Sequence, residues 1–220
     1  MKIAVIIPAK NEKERIVQVL KKVKEQVPES DIIVVDDGSD DQTVKTAGSV
    51  QGIIVLRHRI NLGKGAALKT GCEAAIQRGA ETIVLMDADG QHNPEDIPRF
   101  LESLSGEHDI IIGSRKIGKD MPLAMRFGNK FLSLVTSLLF KSYVTDTQSG
   151  YRAFRASVYP KIKWDSTGYA VETEMIINAA KHHLRTKEID IQTVYHDSYK
   201  GTTILDGIRI FINMILWRIQ

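Results

Sequence analysis

The chain has 220 residues, 43% of them hydrophobic and 26% charged. That balance excludes a mainly disordered, collagen-like or low-complexity chain. The net charge of +3 is too small to argue for a nucleic-acid partner. A lone cysteine, Cys72, excludes an internal disulfide and points to a reducing compartment.

Short β-branched runs recur at residues 3–7, 32–35, 53–56, 83–86 and 110–112. Runs this apolar predict strands buried on both faces of a parallel sheet. Helix-period segments lie between them. In the first, Ile16, Val19, Leu20, Val23 and Val27 share one stripe. Asn11 with Glu14, and Ser39 with Gln42, have the spacing of capping boxes. Residues 64–78 read as an Ala-rich helix stopped by Gly79, and Asn93-Pro94 as a cap with proline in the first turn. The order βαβαβαβαβ predicts an α/β fold, a Rossmann-like, mostly parallel sheet with flanking helices, in a single domain over residues 1–220.

The pattern changes after Gly113. Residues 1–110 carry a net charge of −4 and residues 111–220 a net +7. Arg115, Lys116, Lys119, Arg126 and Lys130 precede an apolar helix over residues 131–140. A loop-like TDTQSGYRAF follows, then a helix near 172–183, a strand near 186–194 and a last helix over 204–219. The basic run beside Phe131, Leu132, Leu134, Leu138, Leu139 and Phe140 suits a helix lying on a membrane surface; a solvated surface is the plainer alternative. In the last helix, Ile204, Ile208, Phe211 and Ile215 are expected on one stripe, with Asp206, Arg209 and Asn213 facing away and Trp217 at a lipid interface. Core packing or a dimer contact explains that helix equally well. No charge-free stretch reaches the roughly 18 residues that cross a bilayer, and the start MKIAVIIPAKNE lacks a signal-peptide layout.

Ligands of an open α/β sheet bind at the carboxyl ends of its strands. Polar residues collect there: Pro8-Ala9-Lys10-Asn11-Glu12 after strand 1, Asp36-Asp37-Gly38-Ser39 after strand 2, and Asp87-Ala88-Asp89-Gly90-Gln91 after strand 4. Asp87 and Asp89 stand two apart on an extended chain and so face one side. Two such carboxylates repel unless a cation joins them, and hard oxygen ligands suit Mg²⁺ or Mn²⁺. A turn is the plain alternative for that triplet, and a first-turn helix acid for Glu12. PAKNEKER has no glycine, which disfavours a dinucleotide site. His92, His182 and His183 are read as surface residues, and Cys72 as a small core residue.

Together, IIPAKNE, VVDDGSDDQT, NLGKGAAL, MDADGQHNPEDIP, GSR, DTQSGYRAF and GYAVETEM resemble inverting glycosyltransferases of family 2 with the GT-A fold. Within it the chain is similar to the polyprenyl-phosphate and dolichyl-phosphate mannose and glucose synthases. The resemblance implies that residues 1–113 hold a nucleotide sugar and a metal, and that residues 114–220 hold the acceptor and carry interfacial helices. Pro8, Lys10, Glu12, Asp37, Lys64, Asp87 and Ala88 would bind the nucleotide sugar. Asp87, Asp89 and Gln91 would bind Mg²⁺ or Mn²⁺. Gln148, Ser149 and Glu174 would line the sugar pocket. Arg115, Arg126 and Lys200 would hold the acceptor phosphate, with Asp89, Arg115 and Arg126 closest to the chemistry. The implied activity is transfer of a hexose from UDP-glucose or GDP-mannose to a polyprenyl phosphate at the cytoplasmic face of a membrane. Alternatives are a soluble saccharide or protein acceptor, for which Glu172 or Glu174 could be the base, and a nucleotide-sugar binder without turnover. Where mannose synthases carry an Arg and a Ser-Lys pair, this chain has Ser198 and Thr203-Ile204. That departure points away from GDP-mannose. Oligomeric state is left open.

Overall fold

The computed structural model describes residues 1–115, 123–193 and 203–219, without the side chains of 123–126 and 204. Elements alternate as β1 (Ile3–Ala9), α1 (Ile16–Gln26), β2 (Asp31–Asp37), α2 (Thr43–Gly48), β3 (Ile53–His58), α3 (Lys64–Gln77), β4 (Thr82–Leu85), α4 (Ile97–Ser105) and β5 (Ile110–Arg115). Then come α5 (Leu123–Phe140), β6 (Arg152–Arg155), α6 (Tyr159–Ile162), α7 (Val171–Lys181), β7 (Thr186–Ile191) and α8 (Ile204–Ile219). One seven-stranded sheet has the order β3-β2-β1-β4-β6-β5-β7. Every pairing is parallel except those of β6, which runs antiparallel between β4 and β5.

The period of two along β1 splits the core. Ala4 and Ile6 face the side covered by α3, α6 and α7, where Leu68, Cys72, Trp164 and Met175 are buried. Val5 and Ile7 face α1 and α4, where Leu20, Val23 and Phe100 are buried. Side chains of this size contribute about 1.5–3 kcal/mol each when removed from water. A smaller cluster, Leu132, Ala170, Ile177, Ile210 and Met214, joins α5, α7 and α8.

The structure corrects several expectations. β3 is only half buried, because it is an edge strand. The segment expected as a loop contains β6. Helix α1 begins at Ile16 rather than after Asn11, and α2 at Thr43 rather than after Ser39. The expected caps serve each other instead. Asn11 has φ +56; its backbone N–H donates to the Ser39 hydroxyl at 2.9 Å, and its side-chain oxygen accepts from the Asp40 N–H at 3.0 Å. The Glu12 N–H donates to the Thr43 hydroxyl at 2.8 Å. The turns after β1 and β2 are stitched together because their strands are neighbours. Asn93 does cap, accepting from the Glu95 N–H before the 3₁₀ turn Pro94–Asp96.

Of the expected α8 stripe, Ile208 and Ile215 are exposed and Phe211 is half-buried, while Ile210 and Met214 are the residues buried against α5 and α7. Core packing therefore uses a different face of the helix from that stripe. His92 is buried rather than at the surface. Among the described residues, no helix is long and apolar enough to cross a membrane.

Candidate active site

A cleft of about 260 Å³ opens at the carboxyl ends of β1, β2, β3 and β4. Pro8, Ala9, Lys10 and Glu12 line it from β1, Asp37 from β2, and Asn61, Gly63 and Lys64 from the β3–α3 turn. Asp87, Ala88 and Asp89 line it after β4, and Gly168 and Tyr169 close it from the segment before α7. The structure therefore gathers Pro8, Lys10, Glu12, Asp37, Lys64, Asp87, Ala88 and Asp89 around one space. Asn61, Gly63 and Tyr169 were not anticipated; NLGKG and GYAVETEM contain them, but no titratable pattern marks them.

Each wall has a local cause. The Asp37 carboxylate accepts from the Leu62 N–H at 2.9 Å, the Gly63 N–H at 2.7 Å and His58 Nδ1 at 2.8 Å, while His58 Nε2 meets the Thr70 hydroxyl at 3.0 Å. It thereby shapes the β3–α3 turn as well as the cleft. Gly63, at φ +98, and Gly65 have no room for a Cβ, which would collide with the carbonyl oxygens of Thr167 and Ser166. That close approach lets the Thr167 carbonyl accept from the Gly65 N–H at 2.6 Å, capping α3 from the other half of the chain. Glu174 fixes the same segment by accepting from the Asp165 and Ser166 N–H groups, each at 2.9 Å. Glu174 thus stands behind the wall that carries Tyr169, rather than in the cleft.

The charges are tightly arranged. Lys64 Nζ lies 2.7 Å from Asp87 Oδ1 and 2.9 Å from Glu172 Oε1. Burial opposes its charge, but these two carboxylates overcome that and hold the ammonium above the ordinary lysine range. Burial raises the Asp87 carboxyl, but Lys64, His92 and Arg115 together outweigh it, so Asp87 ends below the usual range. Asp89 is pushed up to about 6, first by burial and then by Asp87. Its Oδ1 accepts from the Gln91 N–H at 2.9 Å. Burial drops the His92 imidazole to about 4. His92 stacks on Tyr151 with centroids 4.8 Å apart, and its Nδ1 accepts the Asp87 N–H at 3.1 Å.

Arg115 ends β5, with its Nε 2.6 Å and its Nη2 2.8 Å from the two Asp146 oxygens. Burial opposes ionisation of Asp146, and the Arg115 guanidinium keeps it below the usual range. Asn129 of α5 adds a hydrogen bond to Asp146 at 2.9 Å. Gln148 donates to the Thr173 hydroxyl at 2.6 Å, and Ser149 is buried. Neither reaches the cleft lining; the Arg152 guanidinium organises them by donating to the carbonyls of Thr147, Ser149 and Glu172. Arg126 sits in the first turn of α5, with its side chain outside the described part, and Lys200 lies outside the described residues.

A family model described as Glycosyl transferase family 2 matches residues 4–163. The chain belongs to glycosyltransferase family 2. This glycosyltransferase is 34% identical to the UDP-N-acetylglucosamine–dolichyl-phosphate N-acetylglucosaminyltransferase of Methanococcus voltae, over 97% of this chain and 95% of that one. It is 35% identical to the undecaprenyl-phosphate mannosyltransferase of Micrococcus luteus, over 88% of this chain and 84% of that one. The mixed sheet with flanking helices is the GT-A fold. It superposes on glucosyl-3-phosphoglycerate synthase from Mycobacterium tuberculosis, solved with Mn²⁺, uridine diphosphate and phosphoglyceric acid, with a TM-score of 0.75 and 20% identity over 99% of this chain and 78% of that one.

Proposed function

We propose that this glycosyltransferase moves a hexose from a nucleotide sugar to a polyprenyl phosphate, working as a peripheral protein at the cytoplasmic face of a membrane. The observation that carries this reading is the acceptor side of the molecule. Phe127, Phe131, Leu134 and Leu138 of α5 are exposed along one helical stripe, and Leu205, Ile208, Ile212, Ile215 and Ile219 of α8 form a second. The two helices pack together, with the Phe131 and Phe211 rings 5.4 Å apart. Phe127 is 73%, Leu138 72% and Ile219 79% exposed. Two adjoining apolar stripes, in a sequence where Lys116, Lys119, Arg126 and Lys130 closely precede α5 or lie in its first half, match a bilayer surface with anionic headgroups. The two relatives above, whose names specify lipid-phosphate acceptors, support the same acceptor class.

Asp87 and Asp89 fit a hard divalent cation. Lys64 holds Asp87 Oδ1 and the Gln91 N–H holds Asp89 Oδ1, and among the described residues the second oxygen of each takes no hydrogen bond; Asp89 is raised first by burial and then by the Asp87 charge, which a cation would offset. Among the described residues no three acidic, His or Cys side chains form a closed metal cage. The remaining ligands then come from a donor diphosphate and water, as Mg²⁺ and Mn²⁺ accept. Bound there, the cation would stabilise the leaving nucleoside diphosphate. Asp37 and Glu12 would hold the nucleoside, and Lys64 and Lys10 the phosphates. Tyr169 would cover the sugar. Arg115, kept in one orientation by Asp146, would face the incoming phosphate with Arg126 and Lys200. A phosphomonoester has a second pKa of about 6 and is mostly dianionic near neutrality, so it attacks without a general base. In-line attack inverts the anomeric carbon.

The test is a screen of UDP- and GDP-sugars against a short polyprenyl phosphate, with 3-phosphoglycerate as the soluble competitor. Transfer to the lipid phosphate alone supports the proposal. Transfer only to the soluble acid would overturn the acceptor assignment.

A further inference from the structure

Glu172 has no part in the reading above, yet it is 3% exposed and ionisable. Among the described residues its carboxylate takes no hydrogen bond, and its one charged contact is the 2.9 Å ion pair with Lys64. The buried Arg152 guanidinium also acts on it through charge, but spends its hydrogen bonds on the carbonyls of Thr147, Ser149 and Glu172, so Lys64 is the cation that touches the carboxylate. Lys64 is shared, because the same ammonium lies 2.7 Å from Asp87. Gly150 closes the space around them, since a Cβ there would stand 2.8 Å from the Lys64 nitrogen and 3.0 Å from Asp87. The ammonium thus has two anions in reach, with Gly150 close on one side and the cleft on the other.

We propose that Glu172 is a positioning residue that acts through Lys64: it receives the ammonium when Asp87 is given over to a divalent cation, and it keeps that ammonium beside the donor diphosphate. The proposal rests on the divalent-cation reading of Asp87 and Asp89. The physical reason is charge accounting at the partly enclosed floor of the cleft. A cation approaching Asp87 must displace or repel Lys64, and an ammonium left without a counter-ion in so enclosed a place is unfavourable. Glu172 removes that cost, because Lys64 exchanges one carboxylate for another within the same contact.

The experiment is a double-mutant cycle read by direct Mn²⁺ binding, following the electron paramagnetic resonance signal of free Mn²⁺ without nucleotide. Glu172→Gln should weaken Mn²⁺ binding about tenfold when Lys64 is present, the coupling expected of contacting charges. In a Lys64→Met background the same change should weaken it by less than about threefold, because no ammonium remains to be sheltered. Lys64→Gln serves as the background if Lys64→Met does not fold, as judged by circular dichroism and a cooperative melt. Glu172→Asp, which keeps the charge, should recover part of the loss. Equal weakening in both backgrounds would show Glu172 acting only as a distant charge and would overturn the proposal, as would no effect in either. Failure of the unsubstituted protein to bind Mn²⁺ would instead remove the divalent-cation reading itself.

Discussion

Asp89 carries an acid–base consequence that can be measured apart from catalysis. Its folded pKa of about 6 stands above the ordinary aspartate value of 3.8. A raised carboxyl means that the folded protein holds a proton which the unfolded chain releases first. Between those two values, rising pH therefore costs stability, on the order of 2–3 kcal/mol before relaxation. A divalent cation beside Asp89 offsets the cost of ionisation and competes with that proton. The rise in melting temperature on adding Mn²⁺ should be larger at about pH 7.5 than at about pH 5. Equal rises at both would separate Mn²⁺ binding from Asp89. Asp89→Ala should lower transfer by at least about 100-fold, given the several kcal/mol a metal supplies to a leaving diphosphate. Asp146 shows the opposite sign. Its lowered folded pKa contributes stability that is present above the unfolded value and is lost as pH falls through the folded one. Asp146→Asn leaves the Arg115 guanidinium without its carboxylate and should cost about 3 kcal/mol in denaturant unfolding. It should also raise the KM for the acceptor more than for the donor, if Arg115 faces the incoming phosphate.

At the scale of elements, the β–α alternation was legible because buried parallel strands read as continuous apolar runs, as in Ile3–Ala9 and Asp31–Asp37. Strand β6 was not, because it has four residues with an arginine at each end and follows a turn-like sequence. The caps differ from the spacing for a related reason: Asn11 bonds to Ser39 and Asp40 across neighbouring turns, and spacing along the chain cannot show a partner in another loop. The acid-rich strand ends of the site were legible, since parallel topology puts them on one edge. The pairing of Lys64 with Glu172 was not, as it depends on how α7 meets α3. The join between those helices is itself testable. Gly63→Ala places a Cβ against the Thr167 carbonyl at a φ of +98 that alanine avoids. It should destabilise the protein by about 1–3 kcal/mol and weaken donor binding as the segment carrying Tyr169 shifts. Gly79→Ala is the control, since its φ of +82 is similarly strained but a Cβ there meets nothing within 4 Å. It should cost stability without changing donor affinity, as followed by nucleotide titration.

Across the whole molecule, Glu12, Asp37, Asp87 and Asp89 of the acidic first half line the cleft, and the apolar stripes of α5 and α8 belong to the basic second half. Removing α8 would not test the membrane reading cleanly, because Ile210 and Met214 pack into the cluster with Leu132 and Ile177. Single substitutions on the exposed stripes avoid this. Leu138→Glu and Ile212→Glu each put a charge where the proposal places lipid, and neither side chain belongs to a buried cluster. Each leucine- or isoleucine-sized group contributes about 1.5–3 kcal/mol when moved from water into an apolar phase. Each variant should therefore reduce flotation with anionic vesicles about tenfold or more, with melting unchanged to within a degree or two. Added salt should weaken the remaining binding, because the basic segment acts through screened charge. Transfer to a short, water-soluble prenyl phosphate should stay at the parental rate, separating the surface from the chemistry. Unchanged flotation together with a shift in sedimentation would assign the same stripes to contact between two copies of the chain.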